Sequence, residues 1–495
     1  MAGFAGIRSS GNGSAGVSPL LEGIIERIKH RGQGETWTQQ VGEVNLACRE
    51  LNVGGEAEAG SHHIADGKRA VVLDGRIYNP EKSNLTDAEI LLRFYDKFGP
   101  QFAKKLDGDF ACAIADNGKL ILARDAVGVR PLYYGHSDGK LCFASEAKGL
   151  VDIADDVKEF PPGYVYSSAL GFQKYAPQAV ETPDFESCEQ AKKVLVRLLE
   201  EAVEKRMKDN AVGGIFLSGG LDSSIVACIA KEIKLDIEAF TVSLENGQDL
   251  PLARDVTRRL GIKHHVYIFT EKEISEILPQ AIYHMESFEE SCIHGALANF
   301  LASRFVSRHA NCVLTGEGAD EFLGGYDGQF RQAKNPEEVA GVVDKLINVS
   351  HNTALQRLDR LVAAYSMEAR TPFLDSKVVD FCLKIPLDYK IHGSEQTGKW
   401  ILRQGFHDRL SEHIIFQAKR FFAQGSGVAG VMRTMAQRHV SNGELLEHLR
   451  IEDNPRLSSI EELYYYRIFK EKFPQPVSAR LVGRWDPFKP DFFAR

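Results

Sequence analysis

The sequence predicts two domains of different class. An α+β domain with layered antiparallel sheets between helices is followed by an α/β domain, built on a doubly wound parallel sheet with a helical extension. Short apolar segments separated by Gly, Asn and Asp turns fill about the first 180 residues. Apolar strands and helical segments then alternate over residues 212–315, and the pattern from Pro336 onward is almost wholly helical. A chain of 495 residues also exceeds what one hydrophobic core comfortably supports.

Composition narrows the class of protein. The net charge of −8 and the pI of about 6.1 argue against a nucleic-acid binder. The eight cysteines lack C-x-x-C spacing and lie mostly in apolar runs, which predicts buried free thiols in a reducing compartment. No apolar run approaches the roughly 18 residues of a membrane span, and no secretory leader is recognisable. We therefore expect a cytoplasmic protein without nucleic-acid or membrane partners.

The first domain is predicted to span residues 1–183. Its apolar strand segments are 69–73, 110–115 and 120–123. Its helical segments are 20–28 and 88–98. The sequence Asp116-Asn117-Gly118 separates two of these strands and is typical of a β-hairpin turn. Prolines at 161 and 162, and again within 177–183, indicate the exit from this domain.

The second domain is predicted to span residues 187–495. Ser187 and Gln190 form a capping-box pattern at the start of its first helix. The alternating strand and helix segments after that helix are 212–217, 224–232, 237–243, 251–260, 263–268, 273–285, 296–308 and 311–315. Such alternation is typical of a parallel sheet that binds ligands at the carboxyl ends of its strands.

A glycine- and serine-rich loop follows the first of these strands. It reads Ser218-Gly219-Gly220-Leu221-Asp222-Ser223-Ser224 and leads directly into a helical segment. The glycines allow a tight turn, and successive backbone N–H groups at a helix N-terminus bind anions. No Lys follows the second glycine, so the loop is not a Walker A motif. It resembles the pyrophosphate loop of the ATP pyrophosphatases, which cleave ATP between the α and β phosphates.

Four further strings carry groups suited to the same chemistry. An acidic string after a short apolar strand contains Glu317, Asp320 and Glu321, and clustered carboxylates of this kind suit a bound cation. A later string, 366–375, places Glu368 in an otherwise apolar run, and the last two, 399–403 and 417–427, contain Lys399 and Lys419. If Asp222 and Asp320 converge, Mg²⁺ bridging the phosphates of ATP is the expected cation.

Together these strings resemble the synthetase domain of the asparagine synthetase B family over roughly residues 190–430. The resemblance implies ATP and Mg²⁺ as cofactors, and it assigns the following positions. The adenosine pocket takes Leu217, Val242 and Gly316; the pyrophosphate loop takes Ser218, Gly219, Gly220, Asp222, Ser223 and Ser224; and Mg²⁺ takes Asp222 and Asp320. Glu368 would act near the reacting acyl group, and Lys419 would neutralise charge on the phosphates.

The acceptor site departs from that family. Where the family has Thr-Thr-Ile-Arg for aspartate, this chain has Ser291-Cys292-Ile293-His294. Histidine replaces the bidentate carboxylate clamp of arginine poorly, which puts aspartate as acceptor in doubt. His294 is therefore either an acceptor-site residue, with Ser291, or a core histidine without a ligand role.

The first domain resembles class II glutamine amidotransferases, whose αββα fold is of the N-terminal-nucleophile type. The strings that carry the resemblance are residues 1–7, 30–32, 74–79, 106–110 and 124–134. The family's nucleophile is an N-terminal Cys, but this chain has Ala2, and Asp74-Gly75-Arg76 replaces the family's Asn-Gly-Glu. Arg49 and Asp109 match the positions that hold glutamine. Two explanations remain: Ala2 is an engineered replacement of Cys, or glutaminase activity has been lost, as in the related β-lactam synthetase.

These observations predict an ATP-dependent, amide-forming ligase. A small-molecule carboxylate would form an acyl-AMP with release of pyrophosphate, and a nitrogen donor would then displace AMP. Glutamine, free ammonia, or an amine, including one in the same molecule, could supply the nitrogen. A catalytically silent scaffold of the same fold is the alternative. The aromatic tail with Trp485 and Phe492 could pack on the body or on a second subunit, so a homodimer remains open.

Overall fold

The computed structural model describes residues 2–9, 19–51, 62–79, 85–175 and 185–493. Met1 and the linker 177–183, which includes the predicted domain boundary, lie outside the described residues. Backbone contacts divide the chain into two compact units. The first unit comprises Met1–Ala179, Ala363–Glu368 and Phe473–Leu481; the second comprises Val180–Val362, Ala369–Lys472 and Val482–Arg495.

The first unit contains two six-stranded sheets with antiparallel pairing. Their strands are β1 (Ala2–Arg8), β2 (Thr36–Val41), β3 (Val44–Glu50), β4 (His63–Ala65), β5 (Arg69–Ile77), β6 (Gly108–Asp116), β7 (Lys119–Arg124), β8 (Tyr133–Ser137), β9 (Lys140–Ala144), β10 (Lys158–Glu159), β11 (Tyr164–Ser167) and β12 (Gly171–Lys174). The order in one sheet is β10-β8-β9-β1-β3-β2, and in the other β12-β11-β7-β6-β5-β4.

Two helices cover the outer faces of these sheets. Helix α1 (Pro19–Arg27) packs against β1, and α2 (Asp87–Phe98) packs against β5. One core cluster, which includes Phe4 and Leu122, draws residues from both sheets. The resulting order of layers is helix, sheet, sheet, helix, which confirms the predicted α+β class and the αββα arrangement. A further helix of this unit, α20 (Pro476–Arg480), comes from near the end of the chain and not from the predicted first domain.

The predicted hairpin joins β6 and β7. Its two turn residues, Asn117 and Gly118, have φ values of +47° and +83°. Positive φ at both central positions is the requirement of the tight turn that matches strand twist, and Asn-Gly meets it at low cost. The Asn117 N–H donates to the Lys68 carbonyl at 3.0 Å, which attaches the turn to the start of β5.

The second unit is built on a five-stranded sheet in the order β15-β14-β13-β16-β17. Its strands are β13 (Gly214–Phe216), β14 (Glu238–Ser243), β15 (Lys263–Ile268), β16 (Cys312–Leu314) and β17 (Glu368–Arg370). The pairs β13–β14, β14–β15 and β13–β16 are parallel. A parallel sheet with the glycine-rich loop after β13 confirms the predicted α/β class.

The helices around this sheet follow the predicted segments closely up to residue 315. They are α3 (Cys188–Met207), α4 (Leu221–Ile233), α5 (Asp249–Leu260), α6 (Glu271–Met285), α7 (Glu290–Val306), α8 (Ala319–Leu323), α9 (Asp327–Phe330), α10 (Pro336–Val349), α11 (Ala354–Ala363), α12 (Ser376–Lys384), α13 (Leu387–Lys390), α14 (Trp400–Gly405), α15 (Glu412–Ile415), α16 (Phe422–Gly425), α17 (Val428–His439), α18 (Asn442–Leu449) and α19 (Ile460–Lys472). The Ser187 hydroxyl accepts the Gln190 N–H at 3.3 Å, so the predicted N-cap starts α3.

Strand β17 departs from the prediction that the chain is helical after Pro336. It contains three residues, Glu368 to Arg370, and all three are buried. A three-residue strand with charged ends gives no alternating apolar pattern, so the sequence could not indicate it. The division between the two units runs through this strand, after Glu368.

Three features bear on the composition-based expectations. Among the described residues, no helix is both long and apolar enough to cross a membrane. All eight cysteines are free thiols, and all but Cys188 are buried. The C-terminal tail packs within the second unit: Trp485 contacts Tyr326 with ring centroids 5.0 Å apart, and Phe492 contacts Phe288 at 4.6 Å.

Candidate active site

The glycine-rich loop connects β13 to α4 in the second unit. Gly219 has φ of +80°, and a Cβ at this position would lie 2.4 Å from the Ala253 nitrogen. Ser218 Oγ accepts the Gly220 N–H at 3.2 Å and lies 3.1 Å from Ser223 Oγ. From the other side, Gln417 Nε2 donates to the Gly219 carbonyl at 3.0 Å. The loop is therefore held in one conformation at the N-terminus of α4, where backbone N–H groups can receive an anion.

Replacement of Gly219 by Ala is expected to raise the dissociation constant for ATP at least tenfold. The left-handed backbone costs a non-glycine residue about 1–3 kcal/mol, and the added Cβ would also collide with the backbone of α5. Isothermal titration with ATP measures the change. Gly430→Ala is the matched control, because no atom lies within 4 Å of its added Cβ. Unchanged ATP affinity in folded Gly219→Ala protein would contradict this account of the loop.

The loop opens into a cavity of about 430 Å³ in the second unit. Many of the predicted site residues line it: Leu217, Ser218, Gly220, Asp222, Ser223, Val242, Ser291, His294, Gly316, Asp320 and Lys419. Gly219 supplies backbone to the same loop, and the Ser224 hydroxyl is buried and donates to the Gly220 carbonyl at 2.7 Å. The structure thus brings the nucleotide, metal and acceptor residues of the prediction to a single cavity.

Two lysines neutralise the two aspartates expected to bind metal. Lys399 Nζ lies 2.6 Å from Asp222 Oδ2 and 2.5 Å from Asp320 Oδ1. Lys419 Nζ lies 2.5 Å from Asp320 Oδ2 and 4.0 Å from Asp222 Oδ2. Burial by itself would raise the pKa of Asp320, but the charges of Lys399 and Lys419 outweigh it and hold that pKa below its usual range. Asp320 is therefore ionised, with the Nζ atoms of Lys399 and Lys419 beside it.

The sequence predicted no role for Lys399 in this cluster, although the string 399–403 resembles one of the family's strings. Lys399 is 2% exposed and has φ of +57° at the N-cap of α14. Its side chain passes Gly325, where a Cβ would lie 2.3 Å from Lys399 Cε and 2.0 Å from Asp320 Oδ1. Only a residue without a side chain at position 325 leaves room for Lys399 beside Asp320. The sequence signal for this arrangement is therefore Gly325, which lies far from Lys399 in the chain.

The residues present fit a magnesium ion beside this cluster. Asp222 Oδ1 is buried and accepts no hydrogen bond from any described residue. Carboxylate oxygens are the ligands Mg²⁺ prefers, and Asp222 and Asp320 already share one partner, Lys399 Nζ. Gly316 permits close approach to this point, since a Cβ there would lie 2.8 Å from Asp222 Cβ.

Asp249 adds a titratable group to the cavity lining. Burial raises its pKa to about 7, against the opposing charges of Arg420 and Lys419. Near neutral pH this carboxyl group is therefore partly protonated. The surroundings of Lys419 are then more positive than the formal charges suggest, which favours a polyanionic ligand.

Glu368 lies apart from the described lining of this cavity. Its side chain is fully buried, and Arg76 Nε lies 3.3 Å from Glu368 Oε2. Both residues belong to the first unit, where Arg76 Nη1 also lies 3.5 Å from Asp87 Oδ2. The predicted role of Glu368 at the acyl group stays a prediction.

The glutaminase-like residues form a buried ionic network in the first unit. The Ala2 N–H donates to Asp74 Oδ1 at 3.0 Å, and Arg31 lies 2.7 Å from Asp74 Oδ2 and 2.8 Å from Glu146 Oε1. Gly75 has φ of +121°, and a Cβ there would lie 1.8 Å from the Asp109 carbonyl.

Arg49, on β3, donates from Nε to the Gly32 carbonyl at 3.3 Å, and Asp109, on β6, is buried. The structure thus joins Ala2 and Asp74 directly, and β-sheet pairing places Arg49 opposite Gly3 and Asp109 opposite Arg76. The methyl side chain of Ala2 cannot attack an amide.

Comparisons with known proteins identify the family of both domains. The asparagine synthase family model matches residues 195–348 and 342–487, and the glutamine amidotransferase domain model matches residues 1–170. A glutamine-hydrolyzing asparagine synthetase of Triphysaria versicolor is 32% identical over 500 residues, covering 93% of this chain and 84% of the relative. Those of Asparagus officinalis and Sandersonia aurantiaca are also 32% identical, covering 93% and 91% of this chain and 83% and 92% of the relatives. The chain belongs to the asparagine synthetase family.

Proposed function

We propose that the chain is an AMP-forming carbon–nitrogen ligase that joins a small-molecule carboxylate to nitrogen with consumption of ATP. The observation that carries this proposal is the arrangement of Lys399 and Lys419 against Asp222 and Asp320 in the cavity that the loop opens into. A phosphate loop with adjacent ammonium groups stabilises a departing pyrophosphate, whose negative charge increases as it leaves.

The proposed reaction follows from the residues that would lie beside the phosphates of bound ATP. Backbone N–H groups beyond Leu217 and the hydroxyl of Ser223 would hold the β and γ phosphates. A carboxylate oxygen of the acceptor attacks the α-phosphorus, and the bond from that phosphorus to the bridging oxygen breaks. Pyrophosphate leaves with its charge neutralised by Lys399 and Lys419. Nitrogen then attacks the acyl carbon, loses a proton and displaces AMP.

We infer that Asp222 and Asp320 hold Mg²⁺ when ATP binds. The ion would supply further positive charge at the pyrophosphate oxygens. The buried Oδ1 of Asp222, which accepts no hydrogen bond from the described residues, supports this assignment. In the absence of the ion, Lys399 provides the charge that keeps the two carboxylates together.

We propose that free ammonia supplies the nitrogen. Ala2 lacks a nucleophile, and the Asp74 carboxylate beside it is ion-paired with Arg31 at 2.7 Å. A carboxylate in that place would repel the oxyanion formed during glutamine hydrolysis. The natural loss of glutaminase activity is thereby favoured over an engineered Ala2, since a single engineered change would leave the family's Asn-Gly-Glu intact.

The assay for ligase activity uses ammonia, ATP, Mg²⁺ and a panel of carboxylic acids. We expect acid-dependent formation of AMP and pyrophosphate in equal amounts. Formation of ADP and orthophosphate, or no acid-dependent turnover with any acid, would refute the proposal and favour a silent scaffold.

A separate assay tests the nitrogen source. The Ala2→Cys variant is expected to release no glutamate from glutamine above the background of the natural chain, because Asp74 and Arg76 remain. The triple variant Ala2→Cys, Asp74→Asn, Arg76→Glu is the comparison, since it restores the family's residues at all three positions. Glutamate release by Ala2→Cys alone would show that the first domain is a working glutaminase lacking one atom.

Two further inferences concern the location of the protein in the cell and its oligomeric state. A cytoplasmic location is supported by the eight cysteines, which all remain free thiols. A homodimer stays a proposal, which sedimentation of the full chain tests.

A further inference from the structure

One wall of the cavity presents hydrogen-bond acceptors. Glu290 and His294 lie one helical turn apart on α7, and both line the cavity. Glu461, on α19, approaches the same imidazole, with its Oε2 2.7 Å from His294 Nε2. One oxygen or nitrogen atom from each of the three residues lies within 4.8 Å of the other two. We call these three residues the α7 acidic wall, in which Glu290 and His294 belong to the described lining and Glu461 contacts His294.

The contacts of His294 determine where its proton lies. A carboxylate only accepts hydrogen bonds, so the close contact with Glu461 places a proton on Nε2. In the neutral ring Nδ1 is then an acceptor as well. Tyr465 braces the pair, since its hydroxyl lies 3.1 Å from His294 Nε2 and 3.3 Å from Glu461 Oε2. His294 and Glu461 are only 8% and 5% exposed, so this arrangement is strongly held.

The cations near the α7 acidic wall do not cancel its negative charge. Glu290 Oε2 is bonded by a neutral group, the Ser459 hydroxyl, at 2.6 Å. Arg433 Nε lies 3.6 Å from Glu461 Oε1, but its side chain is 69% exposed and therefore screened by solvent. Arg357 also lines the cavity, but it is paired with Glu317 at 2.8 Å. Among the described residues, the cation that approaches these two carboxylates is the solvated guanidinium of Arg433.

We propose that the α7 acidic wall selects an acceptor whose far end, opposite the carboxylate that reacts, carries an ammonium or guanidinium group. This inference rests on the proposed function, because it names the acceptor class of the same cavity. Glu290 accepts hydrogen bonds from the cationic group, together with His294, and Glu461 is a positioning residue that orients His294. A second carboxylate at the far end meets acceptors instead of donors and is repelled.

Two amino acids with a single carboxylate each test the proposal, because they differ only at the far end of the side chain. Ornithine carries an ammonium group there and norvaline a methyl group. Acid-dependent exchange of pyrophosphate into ATP measures adenylation without any nitrogen donor. We expect kcat/KM for ornithine to exceed that for norvaline at least tenfold. Equal values, or a preference for norvaline, would overturn the inference and leave the ligase proposal standing. No exchange with any acid, in a panel that includes these two, would refute the ligase proposal itself.

Variants locate the selectivity on this wall. Glu290→Gln and Glu461→Gln should each lower the ornithine-to-norvaline ratio of kcat/KM at least tenfold, whereas a merely structural defect would lower both values together. Glu276→Gln is the matched control, since that side chain is 60% exposed on α6. Arg433→Met should keep or raise the preference for ornithine. Loss of that preference in Arg433→Met, or its retention in both glutamine variants, would contradict the assignment.

Discussion

Replacement of Lys399 by Met is expected to lower pyrophosphate exchange by about 10²–10³-fold in kcat/KM, a loss typical for a buried group that stabilises developing charge. Methionine keeps most of the length and apolar contacts of the side chain but removes the ammonium group, which lies 2.6 Å from Asp222 and 2.5 Å from Asp320. The two carboxylates then repel each other, and the departing pyrophosphate loses one of its two neutralising lysines. Steady-state exchange with ATP and the preferred acid measures the effect.

Lys272→Met is the matched control for this prediction. The Lys272 side chain lies on α6 and is 85% exposed, so its loss should leave exchange within twofold of the natural chain. Circular dichroism is the check that the Lys399→Met protein is folded. A folded Lys399→Met protein with at least a third of the natural activity would show that Lys419 alone suffices.

Replacement of Arg31 by Met is expected to lower the free energy of unfolding of the first unit by about 3–5 kcal/mol. Arg31 is fully buried and lies 2.7 Å from Asp74 and 2.8 Å from Glu146, whose side chains are also inaccessible to solvent. Removal of the guanidinium leaves Asp74 with the Ala2 N–H, which is a neutral donor. A buried carboxylate without a compensating cation is costly, because neither water nor salt can reach it. Urea unfolding followed by circular dichroism measures the change.

Arg27→Met is the matched control, because it removes an exposed arginine instead of a buried one. Arg27 pairs with Asp152, and the two side chains are 38% and 35% exposed. An exposed pair of this kind contributes about 0–1 kcal/mol, so little change is expected. If Arg31→Met and Arg27→Met had the same small effect, the network around Asp74 would be unimportant for the stability of this unit.

Local patterns allowed much of the fold to be predicted. The alternation of apolar segments over 212–315 corresponds to the strands and helices from β13 to β16, because buried parallel strands and amphipathic helices have different apolar periods. The turn at Asn117-Gly118 was predictable since positive φ is a local requirement. Strand β17 was missed, because three residues are too few to show a period.

The candidate site was predicted to a lesser degree. The loop around Gly219 and the pair Asp222 and Asp320 were named from motifs, and the cavity lining contains both aspartates. Lys399 was given no role, because a lysine in a sequence is usually solvated and nothing local shows that this one is 2% exposed. Its role depends on a left-handed backbone position and on two carboxylates that lie elsewhere in the chain.

Residue identity and short-range spacing were enough to predict the two domain classes, to name the loop that we propose receives phosphate, and to show that Ala2 is no nucleophile. Tertiary structure decided how charge is distributed: Lys399 against the aspartates, Arg31 against Asp74, and Glu461 against His294. The physical reason is that the energy of a charge depends on its burial and on the distances to its partners. Those quantities arise when remote segments pack together, and no local pattern encodes them.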